Sequence, residues 1–294
     1  MLKTPIDIAC ADGFVLKGHH WSAARPDILG LVVINPATGV KANYYHHYAR
    51  FLSAHGFEVI TADYRGIGQS RPDRLTRCGW DWRHWGERDV EAVLAFALSS
   101  GLPVSIVGHS IGGVLPGYAP SAAGVTRMLT MGAQYAWWRD YPDASRRRMY
   151  WKWHVMMPLL TAMLGHFPGR RLNWLEDLPD GVAYQWGRGG CELEARLDTR
   201  SRAEIHDRFA AVRAPILAIG VTDDPFGTRK AIARAHTYYS GAALTKVMLA
   251  PEDLGRESVG HFDLFHARHA GGFWLDTLLW LREGINPWPG HRFA

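Results

Sequence analysis

Pro103-Val104-Ser105-Ile106-Val107-Gly108-His109-Ser110-Ile111-Gly112-Gly113 is a buried-strand pattern that runs straight into a glycine-flanked serine. Val104–Val107 is short, apolar and β-branched, as expected of a strand covered on both faces, and Gly108 stops it. Gly108, Ser110 and Gly112 form G-x-S-x-G. A serine at a sharp strand-to-helix turn is held in a strained backbone conformation with its hydroxyl above the sheet edge, and its neighbours must be small for strand and helix to approach. The helix expected next would aim its first N–H groups at that spot. Pro116, one turn in, should kink or shorten it. With 31 glycines in the chain, G-x-S-x-G by itself is weak; the strand before it and the extra glycine after it give it weight.

The same alternation extends in both directions. Ile6–Ala9 and Phe14–Trp21, around Ala11-Asp12-Gly13, read as an opening hairpin. Leu29–Ile34, Phe57–Ala62, Val125–Met131, Pro215–Gly220 and Leu244–Leu249 read as further strands. Tyr44–His55 carries Tyr45, Tyr48, Ala49 and Leu52 at helical spacing, with Gly56 as its stop; Asp89–Leu98 and Gly272–Arg282 read as helices too. Strands alternating with helices imply βαβ units and a mostly parallel sheet with helices on both faces. The rhythm breaks between about Gln134 and Phe209, a stretch rich in Trp and in arginine clusters with no strand pattern. It reads as a mainly helical insertion, aromatics toward the body and arginines mostly in solvent.

A serine hydroxyl needs a base, and the base needs an orienting carboxylate. Ile219-Gly220-Val221-Thr222-Asp223-Asp224-Pro225 follows one buried strand, and Val259-Gly260-His261-Phe262-Asp263 follows the last one. Both segments belong at the carboxyl edge of a parallel sheet, the side of Ser110. On these residues the chain resembles an α/β-hydrolase, over essentially its whole length apart from the aromatic insertion. Asp63-Tyr64-Arg65-Gly66-Ile67-Gly68-Gln69-Ser70 resembles that family's D-x-R-G-x-G-x-S segment, and Gly260-His261-Phe262 its histidine loop. The resemblance implies residues 1–133 and 210–294 as the core and 134–209 as its cap. It also implies a Ser110–His261–Asp224 triad. Asp224-Pro225 matches the acid loop, whereas counting from Gly220 favours Asp223, so both stay open. The implied oxyanion donors are the N–H of Ile111 and one from Asn35-Pro36-Ala37-Thr38. Pro36 has no N–H; Ala37 aligns with the donor position, with Thr38 as the alternative. Asp63 is expected to fix a turn through its side-chain oxygens.

Apolar residues at 47% and charged residues at 21% of the 294 exclude wholesale disorder and fibrous repeats. A net charge of +5, with no basic helix or zinc-finger spacing, falls short of a nucleic-acid signature. Cys10, Cys78 and Cys191 are odd in number and widely spaced, which argues against a disulfide framework. No leader-like apolar run opens the sequence and no stretch is long enough to span a bilayer, so a cytoplasmic location is expected. His266 and His269 stand at i, i+3 without a supporting ligand set, so neither metal nor cofactor is expected. These features point to a serine hydrolase acting on a small-molecule ester or related acyl bond. The aromatic insertion argues for an apolar substrate portion, and its basic residues admit an anionic one. An acyltransferase or thioesterase on the same triad is the alternative, followed by a hydrolase-like fold that binds without turnover.

Overall fold

The computed structural model describes residues 2–195 and 197–294. An antiparallel hairpin, β1 (Lys3–Ala9) and β2 (Val15–Trp21), opens the chain. There follow β3 (Gly30–Asn35), a 3-10 turn into α1 (His46–Ala54), and β4 (Phe57–Ala62). A helix then runs over residues 82–98 as α2 (Trp82–His84), a π turn (Trp85–Val90) and α3 (Glu91–Leu98). It starts a full seven residues before the expected Asp89. Asp81 caps it, accepting the His84 N–H while the His84 ring receives the Asp81 N–H. Next come β5 (Val104–His109) and β6 (Arg127–Met131).

Residues 132–215 leave the sheet. A second long helix spans residues 143–164, as α4 (Asp143–Tyr150), a π turn (Trp151–Met156) and α5 (Met157–Leu164). A two-residue ribbon pairs β7 (His166–Phe167) with β8 (Leu178–Pro179), and α6 (Asp180–Gly187) and α7 (Thr199–Ala211) complete the excursion. The chain returns through β9 (Ile216–Val221), α8 (Arg229–His236), β10 (Leu244–Leu249) and α9 (Phe273–Glu283).

The eight long strands form one sheet in the order β1-β2-β4-β3-β5-β6-β9-β10, parallel from β4 onward. Every residue of β3, β5 and β9 is buried, as their mostly apolar runs require when both faces are covered. Alternate side chains divide between two cores. Leu31, Val33 and Ile106 join the aromatic core under the residue 82–98 helix and the insertion, while Val32, Ile34 and Val107 pack toward α1 and α9. None of the described helices is long and apolar enough to cross a membrane.

The segment after Ser110 departs from expectation. In place of a regular helix it forms three 3-10 turns, Ser110–Gly113, Leu115–Tyr118 and Pro120–Gly124. Pro116 and Pro120 each remove a backbone donor, so i→i−4 bonding cannot propagate. The insertion also holds an exception: Trp153 and Trp186 are buried and stacked 4.7 Å apart, but Trp151 faces solvent.

Candidate active site

β5 ends beneath Ser110, whose φ of +54° is in the left-handed region. For a residue with a Cβ this costs about 1–2 kcal/mol, supplied by the surrounding packing. The flanking glycines are a steric requirement. A Cβ on Gly108 would lie 2.5 Å from the Gly112 carbonyl oxygen, and one on Gly112 would run into the carbonyl oxygens of Asn35 and Pro36. The turn is therefore pressed directly against the end of β3, the strand that leads into Ala37 and Thr38.

Just beyond β9, Asp224 Oδ2 accepts a 2.7 Å hydrogen bond from His261 Nδ1, with both side chains buried. Burial acts to raise the Asp224 carboxyl. The charge and hydrogen bond of His261, with the N–H groups of Gly227 and Phe226, outweigh it and hold the pKa below its ordinary value. Asp223, the alternative acid, turns the other way. It accepts the N–H groups of Val259 and Gly260, both at 2.9 Å, and so fastens the backbone that presents His261. The same loop is held by Tyr44 Oη donating to the Phe262 carbonyl at 2.9 Å.

His109, the residue before Ser110, supports that loop from below. Its Nε2 donates to the His261 carbonyl at 2.9 Å, which leaves Nδ1 to accept the Tyr45 hydroxyl at 2.8 Å. Tyr45 Oη in turn accepts the Ala37 N–H at 2.9 Å. Burial, reinforced by the charge of His261, pulls His109 down to about 3, so the ring is neutral and the tautomer is set by the carbonyl. The Ala37 N–H aligned with the oxyanion donor is thus spent on Tyr45. The Thr38 N–H has no acceptor among the described residues.

Ser110, Ala37, Thr38 and His261 line one cavity of about 360 Å³. Asp224 stands behind His261, and Ile111 is buried as the second residue of the 3-10 turn, whose first N–H groups lack acceptors within it. No hydrogen bond joins Ser110 Oγ to His261. Oγ instead accepts one from Gln134 Nε2 at 3.2 Å, and the Gln134 side-chain oxygen takes the Ala136 N–H. Gln134, Tyr45 and His109 were not singled out by sequence reasoning. His109 lay inside the motif as its variable position, Tyr45 read as one of α1's apolar stripe, and Gln134 was only the first residue of the insertion. Asp63 does fix a turn: its carboxylate accepts from Ala42 N and Gln69 N.

A family model described as serine aminopeptidase, S33, matches residues 26–237. The chain belongs to this family of α/β-hydrolases. Solved structures share the fold. A soluble variant of monoglyceride lipase from Saccharomyces cerevisiae, in complex with a substrate analogue, is 16% identical, with a TM-score of 0.64 over 96% of this chain and 94% of that one. The esterase domain of a Rhodothermus marinus protein is 15% identical, with a TM-score of 0.59 over 96% and 98%. An esterase from Exiguobacterium antarcticum is 17% identical, with a TM-score of 0.58 over 95% and 100%. No curated protein matches the sequence.

In this α/β-hydrolase the far wall of the cavity comes from the excursion between β6 and β9: Met149, Lys152, Trp153, Trp174, Leu175 and Trp186. Phe226 bridges the two sides, its ring 5.0 Å from His261 and 6.1 Å from Trp153.

Proposed function

We propose that the chain is a serine hydrolase that cleaves an ester or related acyl bond through an acyl-enzyme. The buried Asp224–His261 hydrogen bond carries this reading, because it opens onto the same cavity as a serine held in a strained turn. Fixing Nδ1 on Asp224 leaves His261 Nε2 as the basic nitrogen. Ser110 Oγ attacks the substrate carbonyl carbon and gives its proton to Nε2. The carbonyl oxygen, now negative, is received by the N–H groups of Ile111 and Thr38. Thr38 takes this role in place of Ala37, whose N–H is occupied. Each donor contributes about 3 kcal/mol to lowering the barrier. Collapse of the adduct breaks the bond to the leaving group, which takes the proton from His261. A water then gives a proton to His261 and attacks the acyl carbon; the bond to Ser110 Oγ breaks, Oγ takes that proton back from His261, and the carboxylic acid leaves. In this reading substrate entry turns the Ser110 hydroxyl from Gln134 toward His261. Catalytic hydrogen bonds that tighten only in the substrate complex are usual.

Residues 134–209 act in this reading as the cap that keeps water from the acyl-enzyme, with the indoles of Trp153, Trp174 and Trp186 as its inner lining. A fluorophosphonate probe should label Ser110, and Ser110→Ala should lose about 10⁴-fold or more in turnover of model esters with unchanged circular dichroism. Ester hydrolysis that survives in a folded Ser110→Ala protein would reject the mechanism.

A further inference from the structure

The wall opposite Ser110 carries two cations and no carboxylate. Arg148 and Lys152 stand one turn apart where α4 passes into the π turn, and both line the cavity. Among the fifteen lining residues there is no Asp or Glu. Lys152 is held in place: its Nζ lies 4.4 Å from the Trp153 ring centroid and 4.1 Å from that of Trp174. Two indole faces attract an ammonium but leave its N–H donors open at the sides. Lys152 makes no ion pair among the described residues. Burial and the charge of Arg148 lower its pKa, as expected of a cation pressed toward a dry site beside another cation. Among the described residues, no ion pair joins either cation to a carboxylate, and the acids near them are engaged elsewhere. Asp143 pairs with Arg146, Asp177 with Arg71, and Glu176 with Lys41.

We infer that the substrate is an ester whose acyl or alcohol part combines an apolar body with a carboxylate group, the body lying among Trp153, Trp174, Trp186 and Phe226 and the carboxylate reaching Lys152 and Arg148. This rests on the serine-hydrolase reading and narrows it. A cavity of about 360 Å³ is at the small end of ligand pockets, which suits one ring or a medium alkyl chain and a head group, not a long lipid. The same charges argue against the reaction in the family's name. An aminopeptidase substrate carries a free α-ammonium, which two cations repel and no lining carboxylate would receive.

The test compares matched esters in two arms. On the acyl side, 4-nitrophenyl hydrogen suberate is set against 4-nitrophenyl octanoate. On the alcohol side, the hexanoate ester of 4-hydroxybenzoate is set against that of methyl 4-hydroxybenzoate. In one arm the ratio of kcat/KM for the carboxylate ester over its neutral partner should exceed about ten at low salt and shrink as ionic strength rises. That arm tells which part of the substrate bears the charge. In Lys152→Met the ratio should fall about tenfold, mainly through KM. Arg148→Gln, at an exposed position, should lower the ratio in the same direction and keeps the test alive if the Lys152 variant fails to fold. Ratios at or below one in both arms, or ratios that neither substitution moves, overturn the inference while leaving the serine-hydrolase reading intact. Failure to hydrolyse any of the four esters, together with no fluorophosphonate labelling of Ser110, overturns both.

Discussion

Two adjacent aspartates divide one task. Asp224 meets the His261 ring, whereas Asp223 meets the backbone before it. The first controls which tautomer His261 adopts; the second controls where His261 stands. Asp224→Asn should therefore lower kcat on a model ester by about 10⁴-fold, since an amide can force the wrong tautomer. Asp223→Asn keeps an acceptor oxygen and should cost about tenfold. Comparable losses in the two variants would show that this division is wrong. Because the Asp224 carboxyl is held below its ordinary 3.8, it stays charged through mildly acidic solution, so an acid-side fall in rate above pH 4 belongs to another group. Ser110 and an Asp223-or-Asp224 choice were legible in the sequence because each follows a strand pattern, and His261 because Gly260-His261-Phe262 resembles the family's histidine loop. Choosing between the aspartates was not, because it depends on which way two neighbouring side chains leave a turn.

At the scale of elements, strands were legible and their ends were not. β4 and β10 occupy the residues that their apolar pattern implies, and β3, β5 and β9 differ by one or two residues at an end. The helix from residue 82 was missed at its start, because its first turns present Trp82 and Trp85 to the core and are capped by an Asp–His pair that no Glu or Gln announces. The choice between Ala37 and Thr38 as oxyanion donor stayed open in the sequence for a different reason. Which N–H is free at the end of β3 depends on Tyr45, brought there by packing of α1 and invisible in local spacing. The end of β6 offers a test at this level. Gly132 has φ +58°, and a Cβ there would lie 2.9 Å from Asp224 Oδ2 and 3.1 Å from the His261 ring. Gly132→Ala should lower kcat by at least about tenfold, as a displaced acid–base pair demands, with a stability loss of only about 1 kcal/mol for the backbone conformation. Full activity in that variant would mean the pair tolerates movement that the packing forbids.

Across the whole molecule, buried histidines tie stability to pH. His109 and His236 are fully enclosed, and burial pulls them down to about 3 and about 4; half-buried His46 and His154 also fall to about 4. His236 is locked neutral by geometry as well, giving Nδ1–H to the Ile232 carbonyl and taking the Thr130 hydroxyl on Nε2. The unfolded chain gains protons near pH 6.5 that the folded chain refuses. This stability is therefore complete above pH 6.5 and drains away as the pH drops toward the folded values. His109 and His236 together should remove roughly 4 kcal/mol between pH 7 and pH 5. The urea midpoint measured at the two pH values checks this, and His236→Gln should show a smaller drop. A midpoint that stays constant would refute the assignment. The chain from the Ala37 amide through Tyr45 and His109 to the His261 carbonyl has one more consequence. It is a tie rod between opposite banks of the cleft: slack introduced at any link is felt on both. Substitutions along it will therefore not combine arithmetically, and grafting this histidine loop onto another scaffold would require its tyrosine to travel with it.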